Sequence, residues 1–289
     1  MALQKGRRDH YLPQSYLRGF IDPARVDEAQ PIWQLDTRYQ KWRMRSAKEI
    51  AHKPGFYDYE GENPELEEIE SADDAFRELE NEFQEVRSWL VYRGFRNWHK
   101  KLDFLLRCMQ MLRVRSPLYF EQMNAQGQSL RAMVIQEVHP DNKTLTVSNP
   151  VPLTSPQIKN WTITNMREEM HKGPDWTWTF TWALRYSDSV ANPFVATEQP
   201  FIAEGPTENM AELVKHPDTH LFFPICWQAC LFGSLRRFDK GTDQTRPHDM
   251  LFMRKKYRSY ASQFLVSPTK LDDITESETI VAANAVGAD

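Results

Sequence analysis

The stretch PELEEIESADDAFRELENEFQEVRSWL, residues 64–90, decides the fold class. Leu66, Ile69, Ala72, Phe76, Leu79, Phe83, Val86 and Leu90 recur at spacings of three and four, so they share one stripe of a helix and leave the charges on the remaining surface. After Gly94 a second stripe begins, with Phe95, Trp98, Leu102, Leu105, Met109 and Leu112, and it stops before Pro117. Two amphipathic segments joined at a glycine predict an antiparallel helical hairpin. Both are too short and too interrupted for a coiled coil.

On either side of this hairpin the period changes. Ile32–Asp36 and Trp42–Arg45 alternate apolar and polar residues around a turn at 37–40, the pattern of a β-hairpin. A short helix is expected from Pro13, where proline suits a first turn, to Gly19. Prolines 140, 150, 152 and 156, with a strand candidate at 144–147, predict an irregular β-rich region. Residues 176–182, WTWTFTW, alternate rings with threonines and read as a strand packed on one side. Further strands are expected at 194–197, 221–223 and 263–266, and a helix at 247–260. The expected architecture is therefore α+β, a helical hairpin packed on a mostly antiparallel β-sheet. A single domain should cover residues 1–268, and 269–289 read as a disordered acidic tail.

Composition narrows the function classes. In 289 residues, 40% are hydrophobic and 26% charged, with nine Trp and sixteen Phe, enough to fill a large core. A net charge of -4 argues against a surface that is wholly a nucleic-acid footprint. The charges are nevertheless in blocks: twelve acids and one base lie between Glu60 and Glu85, whereas 93–115 is dominated by Arg and Lys. The densest apolar run, 221–227, is far short of a bilayer span of roughly 20 residues. The opening MALQKGRRDHYLPQ lacks the apolar segment of a secretory signal, so a cytoplasmic location is the expectation. Cys108, Cys226 and Cys230 form no CxxC unit and read as reduced, with Cys108 a small core residue in the second apolar stripe. GxxxxGK[ST], GxGxxG, HExxH and GxSxG are all absent, which removes the common nucleotide, zinc-protease and α/β-hydrolase readings.

The segment HYLPQSYLRGF, residues 10–20, resembles the HxxPxxYLRxF opening signature of the domain of unknown function 4238 family. Gly55-Phe56-Tyr57, the Glu-rich helix, 112–117 and 192–200 look like that family's later blocks, so the likeness covers roughly 9–268. The family pattern leads one to expect Asp-Asn-Pro in the last block. This chain has Glu198-Gln199-Pro200, which keeps the chemical types and lengthens both side chains by a methylene. The resemblance implies little about activity.

The chemistry must come from the residues. If the first helical turn reaches back to His10, then His10, Gln14 and Arg18 share one face at i, i+4, i+8. An imidazole can take up and return a proton, a guanidinium can grip a phosphate or carboxylate through two bonds, and an amide can orient water. Glu67 and Glu80 flank the apolar stripe of the acidic helix. They are thirteen residues apart, about 20 Å along a helix, so one metal ion cannot use both. Arg113 and Arg115 close the second helix and are candidates for an anion, and Glu198 follows a strand at a position suited to an acid, a base or a metal ligand.

The leading expectation is a hydrolase for a phosphodiester or other phosphate-bearing substrate, a nuclease among the candidates. His10, Glu198, Glu67 and Glu80 would be catalytic, and Gln14, Arg18, Arg113 and Arg115 would bind substrate. A divalent cation is optional, with its ligands and the oligomeric state unassigned. Two rivals stand beside it. The same residues can recognise a ligand or partner without turnover, or Arg18 can pair with Glu67 or Glu80 in a purely structural network.

Overall fold

The computed structural model describes residues 8–60, 72–132, 135–138, 145–147, 151–172, 175–207, 210–236, 242–245 and 247–274. The chain opens with β1 (Arg8–His10) and the one-turn α1 (Gln14–Leu17), which continues as a 3-10 turn through Phe20. Next come β2 (Ile32–Asp36), β3 (Lys41–Arg45) and β4 (His52–Pro54), then the helices α2 (Ala72–Tyr92) and α3 (Leu102–Arg115). Gly94 separates the two helices at φ +56°, a left-handed value that glycine adopts without strain and that stops α2. The expected hairpin is therefore present. The part of its first helix before Ala72, with Leu66, Glu67 and Ile69, lies outside the described residues.

The region expected to be irregular and β-rich holds the short strands β5 to β8 (Arg131–Ala132, Ile135–Val138, Leu145–Val147, Val151–Pro152), flanked by two helices that were not expected, α4 (Pro117–Ser129) and α5 (Ser155–Lys172). Pro156 suits a helical first turn rather than breaking one. Gln157 accepts hydrogen bonds from the backbone N–H (2.9 Å) and hydroxyl (3.0 Å) of Thr154, half of a T-x-x-Q capping box. The Trp-Thr strand is also displaced. Residues 175–179 form a 3-10 turn, and β9 starts only at Thr181 (Thr181–Tyr186).

The remaining elements are β10 (Ala196–Thr197), β11 (Ile202–Glu204), α6 (Met210–Leu213), β12 (His220–Cys226), β13 (Ala229–Ser234), β14 (Thr242–Gln244), α7 (Pro247–Tyr260) and β15 (Phe264–Ser267). One sheet runs β11-β12-β13-β9-β14 and is antiparallel apart from the β9–β14 pair; another, β10-β15-β2-β3, is antiparallel throughout. The fold is thus α+β. Successive side chains of a strand point to opposite faces, and β12 shows why its run is apolar without interruption. Leu221, Phe223 and Ile225 join the core under α2 and α3, while Phe222 joins the core with Leu35, Leu265, Met250, Met253 and Tyr257. Both faces of this strand are covered. Packing also continues past residue 268: Leu271 and Ile274 are buried and Asp273 pairs with Arg254, so the expected tail is ordered at least through Ile274. Residues 275–289 lie outside the described residues.

Candidate functional site

The opening motif divides its labour by face. Leu12, Tyr16, Leu17 and Phe20 are buried, with the Tyr16 ring against Phe20 (5.3 Å), Phe83 (5.9 Å) and Phe223 (6.3 Å). The Tyr16 hydroxyl donates to the Pro224 carbonyl at 2.9 Å, and burial raises its pKa well above the ordinary tyrosine value. Gly19 lies so close to β12 that an added Cβ would stand 3.1 Å from Cys226 Cβ, and its carbonyl accepts from Trp227 N–H at 2.9 Å. The motif is therefore pinned to the central sheet on its apolar side.

Its polar side opens on a cavity of about 670 Å³ between this arm and α2, with His10, Gln14, Ser15, Arg18, Glu80 and Arg115 in its lining. His10, Gln14 and Arg18 do share a face, though not on one helix. His10 belongs to β1, which pairs with β4, and the helix begins at Gln14. His10 Nε2 donates to the Lys48 carbonyl at 3.2 Å; a carbonyl can only accept, so in the neutral ring Nδ1 is the basic nitrogen. The Arg18 side chain is exposed and makes no ion pair or hydrogen bond among the described residues. Behind it, Arg87 donates to the Ser15 carbonyl. Burial lowers the Arg87 pKa from the ordinary arginine value, and the neighbouring Arg18 charge pushes the same way.

Arg115 is differently placed. Its side chain is 1% exposed, pairs with Glu80, donates to the His10 carbonyl and reaches the Tyr57 hydroxyl at 3.3 Å. Its guanidinium lies 4.5 Å from the centre of the Phe76 ring. This buried network ties α2, α3 and the N-terminal arm together. The structural role envisaged for Arg18 with Glu80 is filled by Arg115 instead.

Arg113 and Glu198 are outside this cavity. Arg113 lines a second one, and the reason is helical geometry: two residues on an α-helix are about 200° apart, so Arg113 and Arg115 face opposite ways. Glu198 is 1% exposed and accepts hydrogen bonds from Ser262 Oγ (2.7 Å) and from the backbone N–H groups of Ser262, Gln263 and Phe264. Its carboxylate fastens the start of β15. Among the described residues no group of three or more His, Cys, Asp or Glu is arranged to hold a metal ion.

Comparison with family models finds a match to the family described as protein of unknown function (DUF4238), over residues 8–285. The chain belongs to the DUF4238 family. No curated protein and no solved structure matches it. In this DUF4238 chain the matched span takes in both cavities. Sequence reasoning overlooked Asn81, Gln84, Glu85 and Ser88, which form the α2 wall of the first cavity. Their spacing of i, i+3, i+4, i+7 was a legible sign of one helical face beside the apolar stripe.

Proposed function

We propose that the cavity between the N-terminal arm and α2 is the functional site and that it hydrolyses a phosphate-bearing substrate. The observation that carries this is Arg18: an exposed guanidinium without a carboxylate partner among the described residues, on the wall of a 670 Å³ cavity that also holds His10. Such a group suits a phosphate, which a guanidinium grips through parallel N–H···O bonds. His10 Nδ1 would take the proton of the water that attacks phosphorus and return it to the departing oxygen as the ester P–O bond breaks, with the imidazole oriented through its Nε2 bond to the Lys48 carbonyl and Gln14 positioning the water. Glu80 is engaged by Arg115, so it supports the site and Glu85 is the carboxylate left in the wall.

One observation favours binding without turnover. With Glu80 held in its ion pair, the proton-transfer groups left in the cavity wall are few. Both readings meet in one experiment: hydrolysis of p-nitrophenyl phosphate, bis-p-nitrophenyl phosphate, nucleotides and oligonucleotides, with and without Mg²⁺ or Mn²⁺. For a hydrolase, His10→Gln should lower kcat by about 100-fold or more while the melting temperature stays nearly constant, and Arg18→Ala should raise KM. Saturable binding of one of these probes with no turnover, weakened by Arg18→Ala, would instead establish the binding module. Neither turnover nor binding across the panel would sink both.

A further inference from the structure

We propose that the second cavity binds a small apolar molecule carrying one carboxylate, a site separate from the one beside His10. It has a volume of about 450 Å³ and lies where the end of α3 and the start of α4 approach β11, within the usual range for small-molecule pockets. Its walls are mainly apolar, with Leu118, Tyr119, Phe201, Ile202 and Leu213, and among the described residues Arg113 is the one formally charged side chain in the lining.

Arg113 is prepared for a ligand. Its Nε donates to Gln110 Oε1 at 3.0 Å, and its guanidinium lies 4.9 Å from the centre of the Tyr119 ring, so both its tilt and one face are fixed. Glu169 approaches at 3.7 Å, close enough for attraction and too far for a hydrogen bond. The Nη donors therefore make no hydrogen bond among the described residues, although the side chain is only 18% exposed. Burial lowers its pKa from the ordinary arginine value despite Tyr119 and Glu169, the sign of a charge that its surroundings do not fully compensate.

A carboxylate meets this need better than a phosphate. Its two oxygens match the guanidinium fork, and because Glu169 already lies 3.7 Å from that guanidinium, a single ligand charge is all the arginine can take up. The second charge of a phosphate monoester would be left against apolar walls.

The test is calorimetric titration of the full chain with octanoate, octanol and octyl phosphate. Octanoate should bind at one site, at least tenfold more tightly than either of the others. Arg113→Gln should weaken octanoate at least tenfold and leave octanol unchanged, whereas Arg18→Ala, in the other cavity, should leave octanoate binding intact. Should Arg113→Gln fold poorly, Gln122→Trp serves instead: residue 122 is exposed at the mouth, and a large ring there should obstruct entry without disturbing the core. Absence of octanoate binding, equal binding of octanol, tighter binding of octyl phosphate, octanoate affinity in Arg113→Gln or Gln122→Trp less than tenfold below wild type, or octanoate weakened by Arg18→Ala, would each overturn the proposal.

Discussion

Replacing Arg115 by Met keeps most of the aliphatic stem and removes the charge, which makes it a clean probe of the network behind the first cavity. The side chain is 1% exposed and holds Glu80, the His10 carbonyl and the Tyr57 hydroxyl. Breaking a buried ion pair from one side costs about 3–5 kcal/mol, because the partner charge stays behind. Glu80 retains 25% exposure and can be partly rehydrated, which brings that figure to its lower end, about 3 kcal/mol. The His10 carbonyl loses a charged donor and the Phe76 ring loses its cation, together about 1 kcal/mol. A total near 4 kcal/mol is a large share of the 5–15 kcal/mol that holds an ordinary domain together. It should lower the melting temperature by roughly 10 °C. Urea unfolding followed by tryptophan fluorescence would measure it, and the cycle with Glu80→Gln should give a coupling of about 2 kcal/mol or more. The loss should persist in 1 M salt, since burial shields the pair from screening. Single-mutant losses below about 1 kcal/mol, or a coupling near zero, would refute the view that this pair fastens α2 and α3 to the arm.

Glu198→Gln should cost about 2–3 kcal/mol in the same assay, because an amide NH₂ then faces N–H groups that now donate to a carboxylate oxygen; any activity assigned to the first cavity should survive in the folded fraction. Activity lost without loss of stability would return Glu198 to the catalytic list. Burial pushes Tyr119 up to about 12 and raises Tyr11, Tyr16 and Tyr257 as well. The unfolded chain releases these protons near pH 10 while the folded one keeps them, so the stability is whole below pH 10 and declines as pH rises from 10 towards 12. A spectrophotometric titration should show a group of tyrosines that ionise only together with unfolding. Uniform titration of all ten near pH 10 in the folded protein would contradict the burial assigned to them.

Periodicity made the hairpin, the β2–β3 pair and α7 legible, since each is decided by residues within a few turns of one another. The helix α5 escaped because Trp161, Thr162, Ile163, Thr164 and Asn165 are indifferent helix formers and Pro156 looked like punctuation. Its Thr154–Gln157 box was a readable signal. What no local pattern supplies is the choice among like residues. Glu67 and Glu80 flank the stripe in the same way, and Glu80 meets Arg115 because of how two helices cross, 35 positions apart in the chain. The separation of Arg113 from Arg115, by contrast, follows from 100° per residue and needed no structure.

His10, Gln14 and Arg18 show how the same short segment can serve the core and the cavity. The spacing suggested one continuous helix, and the chain reaches a similar result with a strand, a proline and a single helical turn. What counts is that the backbone around Arg18 is fixed on both sides: Tyr16 by its bond to the Pro224 carbonyl, and Gly19 by its contact with Cys226 and its bond from Trp227. An exposed arginine on a loose loop would spend much of its binding energy on ordering the chain. Here that cost is already met by burial of Leu12, Tyr16, Leu17 and Phe20, so the free guanidinium is carried on a rigid support. That the guanidinium has no partner among the described residues while its backbone is held in this way is what supports the proposed anion-binding role of the polar face.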